Sequence, residues 1–288
     1  MYGVSSMTEP LKKVGLIKPG ISLKGADPVS WHYGSAFDPN KVDLVHKSFV
    51  DLLTSSNVEI LWMSEKDNGF ADSVFTYDAS FMTEFGAIIL SPGKKLRKGE
   101  ENIHREFYKK NNIPIIGEIK ERGIAEGGDI FWLDKETLIV GKGFRTNQNG
   151  VDQLIDILQP YKIRIHAFDL PVFLGQEACL HMMSLISLID TKKAIVHSPL
   201  LPVGLFELLE EKKFELIEAP SKEFNSSSGL SINVLATAPG ECIMLADLPE
   251  TAEKLVSSGI SIKLFDGDAL CIGCEGGPTC LTRPILRA

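Results

Sequence analysis

The sequence predicts an α/β protein of interleaved strands and helices. Three observations carry that expectation. Short apolar runs rich in β-branched residues recur along the 288-residue chain, with helical patterns between them. Several runs come in close pairs, such as 130–133 and 137–140 across Asp134-Lys135-Glu136, which predicts β-hairpins inside repeated units. No glycine-rich phosphate loop follows the first strand candidate, which argues against a simple doubly wound sheet.

The strand candidates, in order, are residues 58–63, 87–90, 113–116, 137–140, 162–166, 194–196, 232–235, 242–245 and 261–265. Pro114 has no N–H to give to a ladder, so the third is an edge strand or begins after the proline. Val151, Leu154, Ile155 and Leu158 recur at helical spacing and predict a helix from about Asn149. Leu248, Ala252, Leu255 and Val256 do the same. Asp247 is the candidate cap of that second helix, with Glu250 in its first turn and Gly259 as its stop. The polar stretch 225–230 is too short to divide the chain, and no Pro/Gly/Ser-rich linker does so. Residues 1–288 are therefore expected to form one domain.

Composition narrows the function. Lys+Arg 30 against Asp+Glu 38 gives a net charge of −8, which disfavours bulk nucleic-acid binding. The longest uncharged stretch, residues 224–240, is rich in Ser and Asn and unsuited to a membrane span. Residues 1–13 lack an apolar signal core, so a cytoplasmic location is expected. Five cysteines, an odd number, argue against a disulfide framework. Cys271-x-x-Cys274 has neither a second such pair nor paired histidines. Both are read as buried cysteines, and no metal is expected.

Four local patterns carry chemistry. In the first, Gly276-Gly277-Pro278-Thr279-Cys280 puts a tight turn before a cysteine. Turn amides there can face a developing charge, which favours a nucleophile over a buried structural thiol. In the second, Glu126-Gly127-Gly128-Asp129 flanks two glycines with carboxylates at the start of an apolar strand. A carboxylate so placed can orient a histidine or bind a cation, and a plain polar turn fits equally. The third pattern is Asp72 and Asp78 around a short apolar run. If that run is a strand, the even spacing puts both on one face, which suits a planar cation; strand-end turn residues are the simpler reading. The fourth is His181 among Leu180, Met182 and Met183. His166 competes with it, and spacing does not choose between them. The basic run Lys94-Lys95-Leu96-Arg97-Lys98 reads, taken alone, as a solvated turn.

The patterns form an ordered set: Asp72-x-x-Phe75-x-x-Asp78, Glu126 to Asp129, Arg145-Thr146-Asn147-Gln148-x-Gly150, the His181 segment and Gly276-Gly277-x-x-Cys280. From about Asp72 to the C-terminus the chain resembles the guanidino-group-modifying members of the pentein superfamily. It is most similar to dimethylarginine dimethylaminohydrolases, then to arginine deiminases. The resemblance implies a five-bladed α/β propeller of ββαβ-type units around a central substrate channel. It also implies hydrolysis of the guanidino group of arginine or N-methylated arginine through a cysteine thiolate and an S-alkylthiouronium intermediate.

By the same resemblance Cys280 matches the nucleophile, His181 the general acid/base and Glu126 the carboxylate that orients the histidine. Asp78 and Asp72 match the guanidinium-binding carboxylates, and Arg97 and Arg145 the pair on the α-carboxylate. Glu275 stands where dimethylargininases carry Asp, and Asp129 supports the site from behind. The partner implied is a small guanidino amino acid, with no cofactor, no nucleic acid and no membrane; a homo-oligomer is compatible. Two positions depart from the patterns. Met183 stands where arginine deiminases carry a second Asp, and Tyr77 where dimethylargininases carry Glu. The first points away from a plain deiminase, and the second bears on the pocket for a methylated nitrogen. An arginine deiminase-like hydrolase and an amidinotransferase are the alternatives.

Overall fold

A computed structural model of the chain describes residues 1–64, 66–176 and 180–288. The unit of construction is an antiparallel hairpin, a crossover helix and a third strand parallel to the second. Strand β1 (Leu11–Ile17) leads through the helix Val42–Ser55 to β2 (Glu59–Ser64), which pairs parallel with it. Next, β3 (Ser80–Met82) and β4 (Ala87–Ile89) form a hairpin, and the helix Glu100–Lys110 returns the chain to β5 (Ile115–Glu118) beside β4. The pattern repeats in β6 (Ile130–Asp134), β7 (Thr137–Lys142), the helix Gln148–Leu158 and β8 (Arg164–Asp169). It repeats again in β9 (Ile186–Asp190), β10 (Lys193–Val196), the helix Val203–Glu211 and β11 (Glu215–Glu218). The last full copy is β12 (Leu235–Ala238), β13 (Glu241–Leu245), the helix Pro249–Ser257 and β14 (Ser261–Phe265).

The remaining strand, β15 (Arg283–Arg287), pairs antiparallel with β1, Leu11 opposite Arg287. The first and last strands thus make the hairpin of the fifth unit, and the chain closes on itself. Among the described residues five three-stranded sheets result, the five-bladed α/β propeller that the resemblance implies. The central strands β4 and β13 carry unbroken apolar cores, as strands covered on both faces must.

Several local expectations hold. β5 starts just after Pro114 and lies at a sheet edge, and the hairpin β6–β7 turns at Asp134 opposite Thr137. Three need correction. The Asp72–Asp78 segment is not a strand: Ala71–Val74 is a 3-10 turn and β3 begins at Ser80, so the two aspartates do not share a strand face. The candidate 232–235 is likewise displaced. Leu230–Ile232 is a 3-10 turn and β12 starts at Leu235. Asp247 does not cap the helix Pro249–Ser257, because its carboxylate accepts the Gly267 N–H. Glu223 takes that role, accepting the Glu250 and Thr251 N–H groups at 2.8 Å each. Gly259 does follow the helix end with φ +84°. Among the described residues no helix is long and apolar enough to cross a membrane.

Candidate active site

Each unit reaches its hairpin through a short turn, and these turns build the site. A cavity of about 400 Å³ is lined by Asp72, Asp78, Arg97, Arg145, His181, Glu275 and Cys280. Glu126 lies directly behind it, fully buried. His181 Nε2 lies 2.9 Å from Glu126 Oε2, and Arg145 Nη2 lies 2.8 Å from the same oxygen. Glu126 Oε1 accepts the Gly93 N–H at 2.7 Å and Arg145 Nε–H at 2.9 Å. Burial opposes a charge on Glu126, but the Arg145 guanidinium and the His181 hydrogen bond outweigh it and hold the carboxyl well below the usual range.

The Arg145-Thr146-Asn147 motif now has a physical account. Arg145 neutralises Glu126. The Thr146 hydroxyl donates to Asp129 at 2.6 Å and accepts the Glu126 N–H at 3.2 Å. Asn147 caps the helix Gln148–Leu158 by accepting the Gly150 N–H, and it also accepts the Ile124 N–H. Asp129 Oδ1 accepts the Met182 N–H at 3.0 Å and so anchors the residue that follows His181. Burial pushes the Asp129 carboxyl up to about 6. Gly128 is needed as glycine at this point: a Cβ there would lie 2.4 Å from His181 Nδ1.

Asp78 Oδ1 accepts the Gly128 N–H at 2.9 Å, and Oδ2 meets Arg97 Nη1 at 2.5 Å. Burial resists its ionisation; the charges of His181 and Arg97 overcome this and lower its pKa. Arg97 is 3% exposed. Its guanidinium also grips Glu100 and donates to the Phe75 carbonyl. Burial pushes Glu100 up to about 7 against the pull of Arg97. Both arginines assigned to an α-carboxylate are therefore held by carboxylates of the protein, Arg97 by Asp78 and Glu100, Arg145 by Glu126. Lys94, in the run read as a solvated turn, ion-pairs with Asp72 at 2.7 Å and lies 4.9 Å from the Trp31 ring centre. Tyr33 donates its hydroxyl to the other Asp72 oxygen at 2.6 Å. Glu275 has φ +58°, and burial raises its carboxyl pKa.

Cys280 is a partly exposed thiol, in no disulfide, at the cavity. Asn233 Nδ2 lies 3.1 Å from its sulfur. Sequence reasoning passed over Asn233 because it sits inside an apolar run, and over Tyr33 and Trp31 because they lie ahead of every motif. Cys271 is fully buried, and burial raises its thiol pKa. Cys274 is likewise buried in the hydrophobic core, as expected, and it also borders the cavity. Cys179 lies outside the described residues. His166 stacks on Phe168 in β8, away from the cavity that His181 lines. The Tyr77 ring turns from the cavity and lies 4.2 Å from the Arg283 guanidinium. Tyr77 is therefore not among the residues that line the cavity. Asp78, Glu126 and His181 bring possible ligand atoms within 4.8 Å of one another, but Arg97 and Arg145 already neutralise the two carboxylates.

The family model described as arginine deiminase matches residues 69–205. An uncharacterized protein YkgA of Bacillus subtilis is 28% identical over 242 residues, 84% of this chain and 79% of that protein. The N(G),N(G)-dimethylarginine dimethylaminohydrolase of Pseudomonas aeruginosa is 27% identical over 238 residues, 82% of this chain and 85% of that protein. Among solved structures, a dimethylarginine dimethylaminohydrolase adduct with 4-chloro-2-hydroxymethylpyridine shares 25% identity at TM-score 0.75, covering 94% of this chain and 98% of its own. The amidinotransferase SxtG of Microseira wollei shares the fold at TM-score 0.78 and 15% identity, covering 99% and 97%. The ordered motifs, the closed ring of five ββαβ units and these relatives agree in one likeness: the chain is similar to the guanidino-group-modifying members of the pentein superfamily.

Proposed function

We propose that this protein hydrolyses the guanidino group of an arginine-type amino acid through a covalent intermediate on Cys280. The carrying observation is that Cys280, His181 and Asp78 line one cavity, with Glu126 locked behind the histidine. The names of the relatives, dimethylarginine dimethylaminohydrolase and arginine deiminase, support the same chemistry. So does a solved dimethylarginine dimethylaminohydrolase complexed with citrulline, a ureido compound.

A guanidinium carbon is a poor electrophile because its charge is shared by three nitrogens. Asp78 fixes the plane of the cation by charge-assisted hydrogen bonds. The incoming guanidinium replaces that of Arg97 on Asp78, one planar cation for another. Arg97, so released, joins Arg145 on the α-carboxylate. Asp72 binds cationic groups of the substrate in exchange for Lys94. Glu275 forms part of the wall near Cys280.

The Cys280 thiolate attacks the guanidinium carbon and a C–S bond forms. His181 protonates the departing nitrogen, the C–N bond breaks, and ammonia or an alkylamine leaves. His181 then takes one proton from water, and the hydroxide oxygen adds to the thiouronium carbon. The C–S bond breaks to release the thiolate, while the remaining hydroxyl proton passes to solvent and leaves the neutral ureido product. Glu126 steadies the imidazolium at the two points where it forms, and Asp129 anchors the His181 turn from behind. With Met183 buried outside the cavity, the second carboxylate of a deiminase-type pocket is absent from that position.

The test is a panel of arginine, its mono- and dimethyl forms and other guanidino acids, with ureido product and released amine both identified. Cys280→Ala is expected to abolish turnover. Near wild-type hydrolysis by that variant would overturn the covalent route. Amidino transfer to an added amine without hydrolysis would make the protein a transferase.

A further inference from the structure

The groups assigned to the reacting centre come from four of the five turns ahead of the hairpins, Asp78 before β3, Glu126 before β6, His181 before β9 and Cys280 before β15, whereas Arg97 and Arg145 follow β4 and β7. The fifth turn, Leu230–Ile232 before β12, is followed directly by Asn233. Asn233 is 7% exposed. Its Oδ1 accepts the Thr279 N–H at 2.9 Å, and its Nδ2 lies 3.1 Å from Cys280 Sγ. The first contact fixes the sense of the second. Since the oxygen takes an N–H, the amide nitrogen faces the sulfur and donates to it. The approach is tightly built, because a Cβ at Gly277 would lie 2.5 Å from Asn233 Cγ. The Gly-Gly turn ahead of the cysteine thus makes room for this side chain.

We propose that Asn233 is the fifth member of the reactive constellation, an amide donor that holds the Cys280 sulfur in place as a thiolate. The inference rests on the reading of Cys280 as nucleophile. His181 and Asp78 face Cys280 across the cavity, and the Tyr77 and Cys271 side chains interact with it from other elements. His181 must change protonation during the reaction, whereas an amide N–H is a permanent donor. Donation to an anionic acceptor favours the charged form. The same amide serves both halves of the cycle, first stabilising the attacking thiolate and then the thiolate expelled when the C–S bond breaks.

The test follows Cys280 alkylation by iodoacetamide against pH in the full-length protein, site-resolved by mass spectrometry, for wild type, Asn233→Ala and Asn233→Asp. The aspartate variant keeps the oxygen that accepts the Thr279 N–H and nearly the same volume, but removes the donor and adds negative charge. The alkylation midpoint is expected to rise in both, most in Asn233→Asp, with a ~10-fold or greater loss of reactivity at neutral pH. Should the alanine variant fail to fold, the aspartate variant decides alone. Unchanged midpoints in the folded variants would overturn the proposal. The assay needs no guanidino substrate. A shifted midpoint in the variants, with no guanidino turnover by wild type, would sink the proposed function and leave the amide's role standing.

Discussion

Glu126 Oε2 sits 2.9 Å from His181 Nε2, and this pairing decides what the imidazole can do. The carboxylate is ionised because Arg145 shares it, so it fixes the ring and favours the imidazolium whenever a proton arrives. Glu126→Gln keeps the shape but removes the charge. The variant is expected to lose ~10²–10⁴-fold in kcat, the worth of general acid/base assistance, with a smaller change in KM. Steady-state kinetics on the best substrate of the panel would check this, and a loss under tenfold would strip Glu126 of the role.

The two site arginines should separate in stability. Arg97 is sealed between Asp78 and Glu100, so Arg97→Met leaves two buried carboxylates with one partner fewer. Breaking such a buried pair costs about 3–5 kcal/mol. Arg145 stands at the cavity wall, and Glu126 would retain the Gly93 N–H and His181 after Arg145→Met. Denaturant unfolding is expected to show the larger loss for Arg97→Met. Both variants are expected to raise KM, since both arginines are assigned to the substrate's α-carboxylate, but Arg145→Met with little loss of stability. The reverse order would mean that the Arg97 cluster is not a structural anchor.

Asp129 makes the stability depend on pH in an unusual direction. Burial raises its folded pKa from 3.8 to about 6. Between those values the folded protein holds a proton that the unfolded chain releases, so stability is greatest below the unfolded value and declines as pH rises toward 6. Asp129→Asn cannot ionise and retains an oxygen for the Met182 N–H. The variant should gain on wild type as pH rises from about 4 to 6, by up to roughly 3 kcal/mol. Asp78 and Glu126 act oppositely, losing their contribution as pH falls through their lowered pKa values, so the difference between variant and wild type is the quantity to measure. Denaturant unfolding at pH 4 and pH 7 would reveal it, and a pH-independent difference would refute the assignment.

The sequence made the repeating hairpin-and-helix rhythm readable, along with the cysteine, histidine and carboxylates now found around one cavity. It did so because apolar periodicity and short motifs are local. What escaped it is long-range. Tyr33 meets Asp72 across 39 positions, Glu223 caps a helix 28 residues on, and Asn233 reaches Cys280 across 47. Ring closure is the extreme case, since β15 and β1 pair from opposite ends of the chain. Asn233 also looked like the second residue of an apolar strand, and nothing around it signalled the turn that aims its amide. The basic run looked solvated because like charges in a row hide the two members that turn inward, Lys94 to Asp72 and Arg97 to Asp78 and Glu100.

Adjacent glycines beneath the site offer a last separation of fold from chemistry. A Cβ at Gly127 would lie 2.0 Å from the Tyr77 carbonyl oxygen, while one at Gly128 would lie 2.4 Å from His181 Nδ1 and 2.7 Å from its Cγ. Neither glycine has a positive φ, so alanine is resisted by the neighbours and not by the backbone. At Gly127 the neighbour is main chain, which cannot step aside without displacing the Tyr77–Asp78 segment. At Gly128 it is the imidazole, which can move only by leaving Glu126. Gly127→Ala is therefore expected to lower the melting temperature more strongly. Gly128→Ala is expected to fold but lose about 10²-fold or more in kcat, the usual cost of misplacing a reacting group by about 1 Å. Thermal melts and kinetics on the two variants would decide, and a Gly128→Ala enzyme running at the wild-type rate would show that the position of the His181 ring does not matter.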